Sequence, residues 1–286
     1  MGDYMSLKLK SADIPETEEG LQYHLMVRPG DVAPYVLLPG DPGRVSKIAK
    51  YWDEARQVAI HREYNTYTGK YKGVPISATS TGIGGPSTAI AVEELLRVGA
   101  HTFIRVGTTG SIQRDVKVGD IIITYASVRL EGTSRQYVMI EYPAAASPEV
   151  VMALIEAAET LGTRYHVGIT ASTDSFYTGQ GRPGFKGYMQ SWMKNIIPDL
   201  QAARVLNFEM ESATLFTLAN IYGVRAGMVT AVVANRVTGE MTPGAGEEDA
   251  IKVANEAVRI LHEWDELKKI TGKKYFYPSL LKLAKK

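Results

Sequence analysis

The stretch from Thr102 to Ile112, TFIRVGTTGSI, joins an apolar run to a glycine-rich turn. The run is β-branched, aromatic or aliphatic except for Arg105, and it ends in Gly107-Thr108-Thr109-Gly110. Such runs bounded by glycine favour β-strands, and glycine lets the backbone come close to a ligand. The pattern predicts a buried strand that brings Arg105 and two hydroxyls to a turn, where guanidinium and hydroxyl groups suit phosphate oxygens.

Two similar turns lie upstream, each after a predicted strand and before a predicted helix. The first is LPGDPGR at 38–44, and the second is STGIGGPS at 80–87. A strand that passes through a glycine turn into a helix start directs several backbone N–H groups at one point, which is a common anion site. The three turns together indicate a phosphate-binding site.

Strands and helices alternate along the chain without tandem repeats. This order predicts the α/β class, in a single domain with a largely parallel or mixed central β-sheet. Residues 23–268 form the predicted domain, between an N-terminal extension at 1–22 and a basic C-terminal tail at 269–286. Strands are predicted at 35–38, 74–79, 119–124, 167–172, 203–208 and 225–235, with strand-like residues at 61–64 that lead to a hairpin at 71–74. Helices are predicted at 44–50, 88–98, 148–161, 209–222 and 247–268, with a loop at 173–184 and a flexible segment at 237–246.

The overall composition limits the classes of function. The chain has 286 residues, 32 of them basic and 31 acidic, so its net charge of +1 argues against nucleic acid or an anionic membrane as partner. Cysteine is absent, which excludes disulfides and thiolate chemistry and fits a cytoplasmic location. No apolar run is long enough to span a bilayer, and the first residues are unlike a signal peptide.

Arg105 stands inside a predicted apolar strand. A buried guanidinium requires an anionic partner. No carboxylate lies nearby in the sequence, so bound phosphate is the predicted partner.

Two acids, Glu209 and Glu211, flank a methionine at the predicted start of an apolar helix. One of them is expected to complement the positive end of the helix dipole. Because residues at i and i+2 point in different directions, the other can face a ligand and accept hydrogen bonds from adjacent sugar hydroxyls.

The polar loop at 173–184 contains Phe176, Gln180 and Arg182. An aromatic face, an amide and a guanidinium together suit a planar uracil-like ring, which offers a face, an N–H and carbonyl oxygens. The three sets of residues therefore predict a site for a nucleoside and phosphate.

The motifs resemble those of the nucleoside phosphorylase-I family, in its hexameric, uridine-cleaving branch. The resemblance runs from His24 to Leu261, and it implies a single domain with three α/β/α layers and a mixed central β-sheet. The matching motifs are PGDPGR (39–44), HREY (61–64), STGIGGPSTAIAVEEL (80–95), FIRVGTTGSI (103–112), TASTDSFYTGQGR (170–182), NFEMESATL (207–215) and AGMVTAVVANR (226–236).

The resemblance implies a role for each matching residue. Phosphate would be held by Gly40, Arg44, Arg105 and Thr108, and by Arg62 of a neighbouring subunit. Ribose would contact Thr108, Met210 and Glu211, with His24 reaching it from the neighbour. The base would lie among Thr109, Gly110, Phe176, Gln180 and Arg182. Glu63, Ile83 and Ser87 match positions that hold a potassium ion between subunits. Arg105, Glu211, Gln180 and Arg182 are the implied catalytic residues.

The implied activity is cleavage of uridine by inorganic phosphate into uracil and ribose 1-phosphate, in a homohexamer, with phosphate as co-substrate and no required cofactor. The hexameric purine branch instead uses an aspartate after the last strand, where this chain has Asn235, which cannot protonate a leaving base. Arg236 is expected to help close segment 237–246 over the site. The alternatives are a purine or broad-specificity phosphorylase, a nucleosidase that uses water, and a non-catalytic nucleoside-binding protein.

Overall fold

Residues 7–283 are described in the computed structural model, and the quoted stretch Thr102–Ser111 is a central strand of its sheet. The strands are β1 (Tyr35–Leu38), β2 (Glu54–His61), β3 (Tyr64–Tyr71), β4 (Val74–Thr79), β5 (Thr102–Ser111), β6 (Ile121–Leu130), β7 (Ala144–Ala145), β8 (Tyr165–Thr173), β9 (Val205–Glu209) and β10 (Arg225–Asn235). The helices are α1 (Pro42–Ala49), α2 (Gly85–Arg97), α3 (Thr133–Tyr137), α4 (Pro148–Leu161), α5 (Ile196–Ala202), α6 (Ser212–Ile221), α7 (Glu247–Thr271) and α8 (Leu280–Leu283).

The ten strands form one mixed sheet in the order β10-β6-β8-β9-β5-β1-β4-β3-β2, with β7 beside β6. Strand β5 pairs in parallel with β1 and β10, and its end pairs antiparallel with β9. Because β10 also joins β6, the strands β5, β10, β6, β8 and β9 close into a ring. This arrangement places the ends of β5, β9 and β10 next to one another, where the predicted site residues lie.

Helices cover both faces of the sheet, as the predicted α/β/α layering requires. Helices α1, α4 and α7 pack on one side, and α2, α3 and α6 pack together on the other. The main core is apolar and fully enclosed; Leu37, Phe103, Ile104 and Phe216 are among its largest buried side chains. The mixed α/β prediction is confirmed.

Most predicted elements are confirmed, and three predictions next to the site are wrong. The glycine-rich turn predicted at 107–110 is instead part of β5, because these residues pair with β10. Residues 61–64 are not one strand, because Arg62 and Glu63 form the turn between β2 and β3. The helix predicted from residue 209 begins at Ser212, because Glu209 is still paired in β9. Strand β2 and the short helix α3 were not predicted.

The two ends of the chain extend beyond the described residues. Residues 1–6 of the predicted extension and 284–286 of the predicted tail lie outside them, and the division into extension, domain and tail stays a prediction. Within 7–283, none of the helices has the length and apolar character that crossing a membrane requires.

Candidate active site

Arg105 is buried between two carboxylates. Its Nε donates to Glu209 at 2.9 Å, and its Nη2 forms an ion pair with Glu211. The sequence analysis did not predict these carboxylate partners, and phosphate as a further partner of Arg105 stays a prediction. The acids are distant in sequence, but the pairing of β5 with β9, which sets Gly110 opposite Phe208, brings them to Arg105.

The remaining guanidinium nitrogen of Arg105, Nη1, is buried and has no hydrogen-bond partner within the described chain. A Cβ atom placed on Gly40 would lie 3.7 Å from it, so this donor lies beside the first glycine turn. An unpaired buried donor of a charged group costs free energy unless a ligand or water satisfies it. The geometry thus leaves one charged donor free next to Gly40.

The two acids differ in their surroundings. Glu209 accepts hydrogen bonds from the backbone N–H of Glu211 at 2.8 Å and of Ser212 at 3.0 Å, and from the Ser212 hydroxyl at 2.6 Å. It is the acid that complements the start of α6, as expected for one of the pair. Glu211 instead accepts from the N–H of Gly84 at 2.5 Å, which ties it to the second glycine turn.

Glu211 is nearly inaccessible to solvent. Burial raises its pKa, Arg105 opposes that effect, and the charge of Glu209 adds to it, so the pKa is raised on balance. Its partners in the described chain are the Gly84 N–H, Arg105 and Glu209, and a carboxylate oxygen can accept more than one hydrogen bond. Glu211 therefore keeps acceptor capacity for the hydroxyls of a sugar.

Arg44 lies under the same strand at the start of α1. Its Nη1 donates to the carbonyl oxygen of Val106 at 3.3 Å, and its Nη2 donates to Glu247 at 3.2 Å. The Nε of Arg44 has no partner among the described residues. Arg44 thus contacts the residue that follows Arg105 on β5, and each arginine is already paired with an acid of this chain. Their joint binding of phosphate stays a prediction.

Arg62 and His24 form a separate group. Arg62 adopts a left-handed backbone, with φ of 52°, and its guanidinium carbon lies 5.8 Å from the ring centre of Tyr23. The Tyr23 ring packs edge-on against His24, whose Nδ1 lies 2.6 Å from a Glu94 oxygen. Neither Arg62 nor His24 has a hydrogen bond or ion pair with Arg105 in residues 7–283.

Three of the five predicted base-binding residues, Phe176, Gln180 and Arg182, are together on one loop. The guanidinium of Arg182 lies 3.9 Å from the ring centre of Phe176, and its Nη1 donates to the Gln180 side-chain oxygen at 2.6 Å. A Cβ atom on Gly110 would lie 3.8 Å from Arg182 and from Arg236, so the end of β5 reaches this loop. Burial, followed by the nearby charge of Arg236, lowers the pKa of Arg182 to about 10, which leaves it protonated at neutral pH.

Gln180 is buried and only half of its hydrogen-bonding capacity is used. Its Nε2 donates to Thr173 at 3.1 Å, and its Oε1 accepts from Arg182. A primary amide has two donor hydrogens and two acceptor positions. One donor and one acceptor therefore remain, which matches a carbonyl next to an N–H on a uracil ring.

The remaining predicted ribose and base contacts, Thr108, Thr109 and Met210, differ in how far the protein already uses their side chains. The Thr109 hydroxyl donates to the carbonyl oxygen of Phe208 at 2.6 Å and accepts from Asn207 at 2.7 Å, so it is occupied within the protein. Thr108 and Met210 are half-buried. Only the backbone of Thr109 is left for a base, whereas the Thr108 side chain has no such commitment.

The three residues that match a potassium site lie close together. The Ser87 hydroxyl donates to the carbonyl oxygen of Ile83 at 3.3 Å. A Cβ atom on Gly82 would lie 2.8 Å from Cγ of Glu63 and 3.4 Å from the Ser87 hydroxyl. Oxygen ligands of this kind suit a hard cation. No group of three or more histidine or acidic side chains in residues 7–283 could hold a metal ion.

Arg236 has a different role from the expected one. Its Nη1 donates to the carbonyl oxygen of Gln180 at 2.9 Å, and its Nη2 to that of Gly181 at 3.4 Å. It holds the base-side loop rather than segment 237–246. The sequence analysis also missed Glu209 as the partner of Arg105. The signal available was the spacing of two acids around Met210, but spacing does not reveal which strand they face.

Comparison with known proteins connects this geometry to a family. The model of the phosphorylase superfamily matches residues 34–263, which contain every candidate site residue except His24. This chain belongs to the phosphorylase superfamily. The predicted family resemblance is thereby confirmed.

Relatives in the superfamily cover nearly the whole chain. A uridine phosphorylase of Thermococcus kodakarensis is 67% identical over 273 residues, 96% of this chain and 98% of that protein. A uridine phosphorylase of Escherichia coli is 46% identical over 84% of this chain and 97% of its own length. A guanosine phosphorylase of Halorubrum lacusprofundi is 41% identical over 80% of this chain and 90% of its own length. Membership in the superfamily therefore does not by itself determine the base.

Proposed function

We propose that this chain catalyses the phosphorolysis of uridine to uracil and ribose 1-phosphate. A phosphate oxygen forms a bond to C1′ of the ribose while the bond from C1′ to uracil N1 breaks, and its electron pair leaves with the uracil. The observation that carries the proposal is the free Nη1 donor of Arg105 beside Gly40. The relatives named uridine phosphorylase support the choice of substrate.

Phosphate would bind below the ribose. Arg105 Nη1, Arg44 Nε and the backbone at Gly40 would donate to its oxygens, with Thr108 as a further donor. Arg105 and Arg44 each keep one unpaired nitrogen in this region, and charge-assisted hydrogen bonds to phosphate are stronger than neutral ones. The pairing of Arg105 with Glu209 and Glu211 would hold its guanidinium in position before phosphate arrives.

Ribose and base would bind above the phosphate. Glu211 would accept from the ribose hydroxyls and, with Met210, orient C1′ toward the phosphate. Negative charge develops on the uracil oxygens as the bond breaks, and Gln180 and Arg182 would donate to them. Each oriented donor of this kind contributes on the order of 2.7–4 kcal/mol to transition-state stabilisation.

Purine phosphorolysis is the second candidate, because one relative is named guanosine phosphorylase. Protonation of a purine leaving group requires an acid at the end of β10. Asn235 stands there, with its amide nitrogen donating to the carbonyl oxygens of Gln113 at 3.0 Å and Val116 at 2.8 Å. The amide is thus bound within the protein, which favours the pyrimidine substrate.

The assay that tests the function is a panel of uridine, deoxyuridine, thymidine, inosine and guanosine, each with and without inorganic phosphate. We expect release of uracil from uridine only when phosphate is present, together with ribose 1-phosphate. Release of uracil without phosphate would indicate a nucleosidase. Faster cleavage of inosine or guanosine would indicate the purine branch, and binding without turnover would indicate a non-catalytic protein.

We further propose a cytoplasmic homohexamer whose sites are shared between subunits, with Arg62 and His24 contributed by the neighbour. Within residues 7–283 neither residue forms a hydrogen bond or ion pair with Arg105, and the family resemblance assigns both to the neighbouring subunit. Mixing inactive Arg62→Ala chains with inactive Arg105→Ala chains should restore activity, because some mixed sites would be intact. Failure to recover activity after confirmed subunit exchange would argue against sharing.

A potassium ion at Glu63, Ile83 and Ser87 would appear as a potassium-dependent rise in the melting temperature.

A further inference from the structure

A cavity of about 860 Å³ lies where strands β1 and β10 begin, whereas the candidate active site lies where β5, β9 and β10 end. Strands β1 and β10 begin at its wall with Tyr35 and Arg225, and His101 directly precedes β5. The rest of the wall is Glu149 at the start of α4, the end of α7 and residues 272–275. Its volume is within the range of about 300–1,000 Å³ that is typical of small-molecule sites.

The two acids of this cavity are neutralised by their neighbours. Asp265 is bound by both terminal nitrogens of Arg225, at 2.8 and 2.6 Å, and by the Tyr35 hydroxyl at 2.6 Å. Burial raises the pKa of Asp265, but these hydrogen bonds and the charge of Arg225 lower it on balance to about 2. Glu149 is bound by Arg225 at 3.1 Å and by Lys268 at 2.7 Å. The cavity therefore has no free negative charge.

Three more lysines line the cavity beyond this neutral network. Lys269 is mostly exposed and pairs with Glu266 at 2.7 Å. Lys273 and Lys274 are exposed and have no ion pair with any described residue. The cavity thus has an excess of positive charge in a chain whose net charge is only +1. An excess of this kind attracts anions.

The cavity also presents an aromatic face. The Tyr275 side chain lines it and is 65% exposed, and the ammonium of Lys274 lies 5.2 Å from its ring centre. An exposed ring next to unpaired lysines can stack on a planar base while the lysines bind phosphate groups. This combination is typical of sites for nucleotides.

The wall that carries these residues is held firmly on the domain. Phe276 stacks on Trp264 with ring centres 3.8 Å apart, and its N–H donates to Glu149 at 2.9 Å. Leu280 is fully buried. The wall from Asp265 onward lies beyond the segment that matches the superfamily model, which ends at residue 263. The cavity is therefore built partly from residues that the family model does not include.

We propose that this cavity binds a phosphorylated anion of the nucleotide class, with Lys273 and Lys274 on its phosphates and Tyr275 against its base. The site is separate from the candidate active site and does not depend on the proposed function.

The test uses the full chain and two probes, ADP and inorganic tripolyphosphate, in isothermal titration calorimetry in phosphate-free buffer, with and without saturating uracil. We expect one ADP per chain. The double variant Lys273→Ala/Lys274→Ala should weaken binding of both probes at least tenfold. Tyr275→Ala should weaken ADP severalfold and leave tripolyphosphate unchanged. The matched control is Lys282→Ala, an exposed lysine of the same tail outside the cavity wall, which should change neither affinity.

Four results would overturn the proposal. These are no binding of either probe at millimolar concentration, unchanged affinity in the double lysine variant, equal weakening by Lys282→Ala, or displacement of ADP by uracil. Equal ADP affinity in Tyr275→Ala would overturn the nucleotide class. Thermal melting of each variant checks that it is folded.

Discussion

The guanidinium of Arg105 folds back over Gly107, two residues further along the same strand. A Cβ atom on Gly107 would lie 3.0 Å from Nη2 of Arg105 and 3.1 Å from its central carbon. Gly107→Ala would therefore displace the guanidinium. Crowding of this kind costs about 1–3 kcal/mol. We expect the KM for phosphate to rise roughly tenfold or more, measured by steady-state kinetics with varied phosphate.

The matched control is Gly132→Ala, because the only atom near its added Cβ is a carboxylate oxygen of Asp174 at 3.4 Å, which is an ordinary contact. We expect near-normal kinetics for this variant. A Gly107→Ala enzyme with an unchanged KM for phosphate would show that Arg105 does not need the space above the glycine.

Arg182 is the donor most directly placed to stabilise a departing uracil. Its guanidinium stacks on Phe176 and is hydrogen-bonded to Gln180. Loss of an oriented donor to developing charge lowers kcat by about 10²–10³. Arg182→Ala should therefore slow uridine phosphorolysis at least about a hundredfold. Lys194→Ala, an exposed cation in the neighbouring segment, should leave the rate unchanged. Normal turnover by Arg182→Ala would remove this residue from the mechanism.

Asn235 argues against purine cleavage because its amide cannot protonate a leaving base. Its hydrogen bonds give a second reason. Its oxygen accepts from the N–H groups of Val237 at 2.8 Å and Thr238 at 3.0 Å, while its nitrogen donates to Gln113 and Val116. All hydrogen-bonding groups of the amide are occupied. An ionised carboxylate here would leave the carbonyl oxygen of Val116 without its donor and would place a charged oxygen against the carbonyl oxygen of Gln113, which keeps only the Ser111 hydroxyl.

We therefore expect that Asn235→Asp will not create inosine phosphorolysis and will destabilise the fold by about 1–3 kcal/mol, the cost of unsatisfied buried groups. The measurements are product formation from inosine and phosphate, and the free energy of unfolding in urea. A variant that cleaves inosine at full stability would show that position 235 is available for acid catalysis.

Local patterns in the sequence predicted most elements, because hydrophobic periodicity and glycine turns act over a few residues. The predicted helix at 148–161 and strand at 225–235 agree with α4 and β10. The partners of Arg105 could not be predicted in this way. Glu209 lies 104 residues away, and only the order of strands in the sheet brings it to β5. The predicted start of α6 was wrong for the same reason, because pairing with β8 keeps Glu209 in the sheet.

The raised pKa of Glu211 predicts a dependence of stability on pH. Burial raises this pKa, against the charge of Arg105 and with that of Glu209, to about 7, from an ordinary value of 4.5. Between these two values the folded chain keeps a proton that the unfolded chain has released. The unfolded state then binds fewer protons, so this group makes stability fall as pH rises through the window.

Glu211→Gln removes the titrating group while keeping an oxygen that can accept from the Gly84 N–H. We expect the free energy of unfolding of the wild type, relative to this variant, to decrease from pH 4.5 to about 7 and to be constant above that. The measurement is urea unfolding at several pH values without phosphate. Acids with lowered pKa values, such as Asp265 and Glu149, change the stability at lower pH. Their contribution is the same in the wild type and the variant, so it cancels in the difference. Exposed Glu141→Gln serves as the control, and an equal pH trend in that variant would contradict the assignment to Glu211.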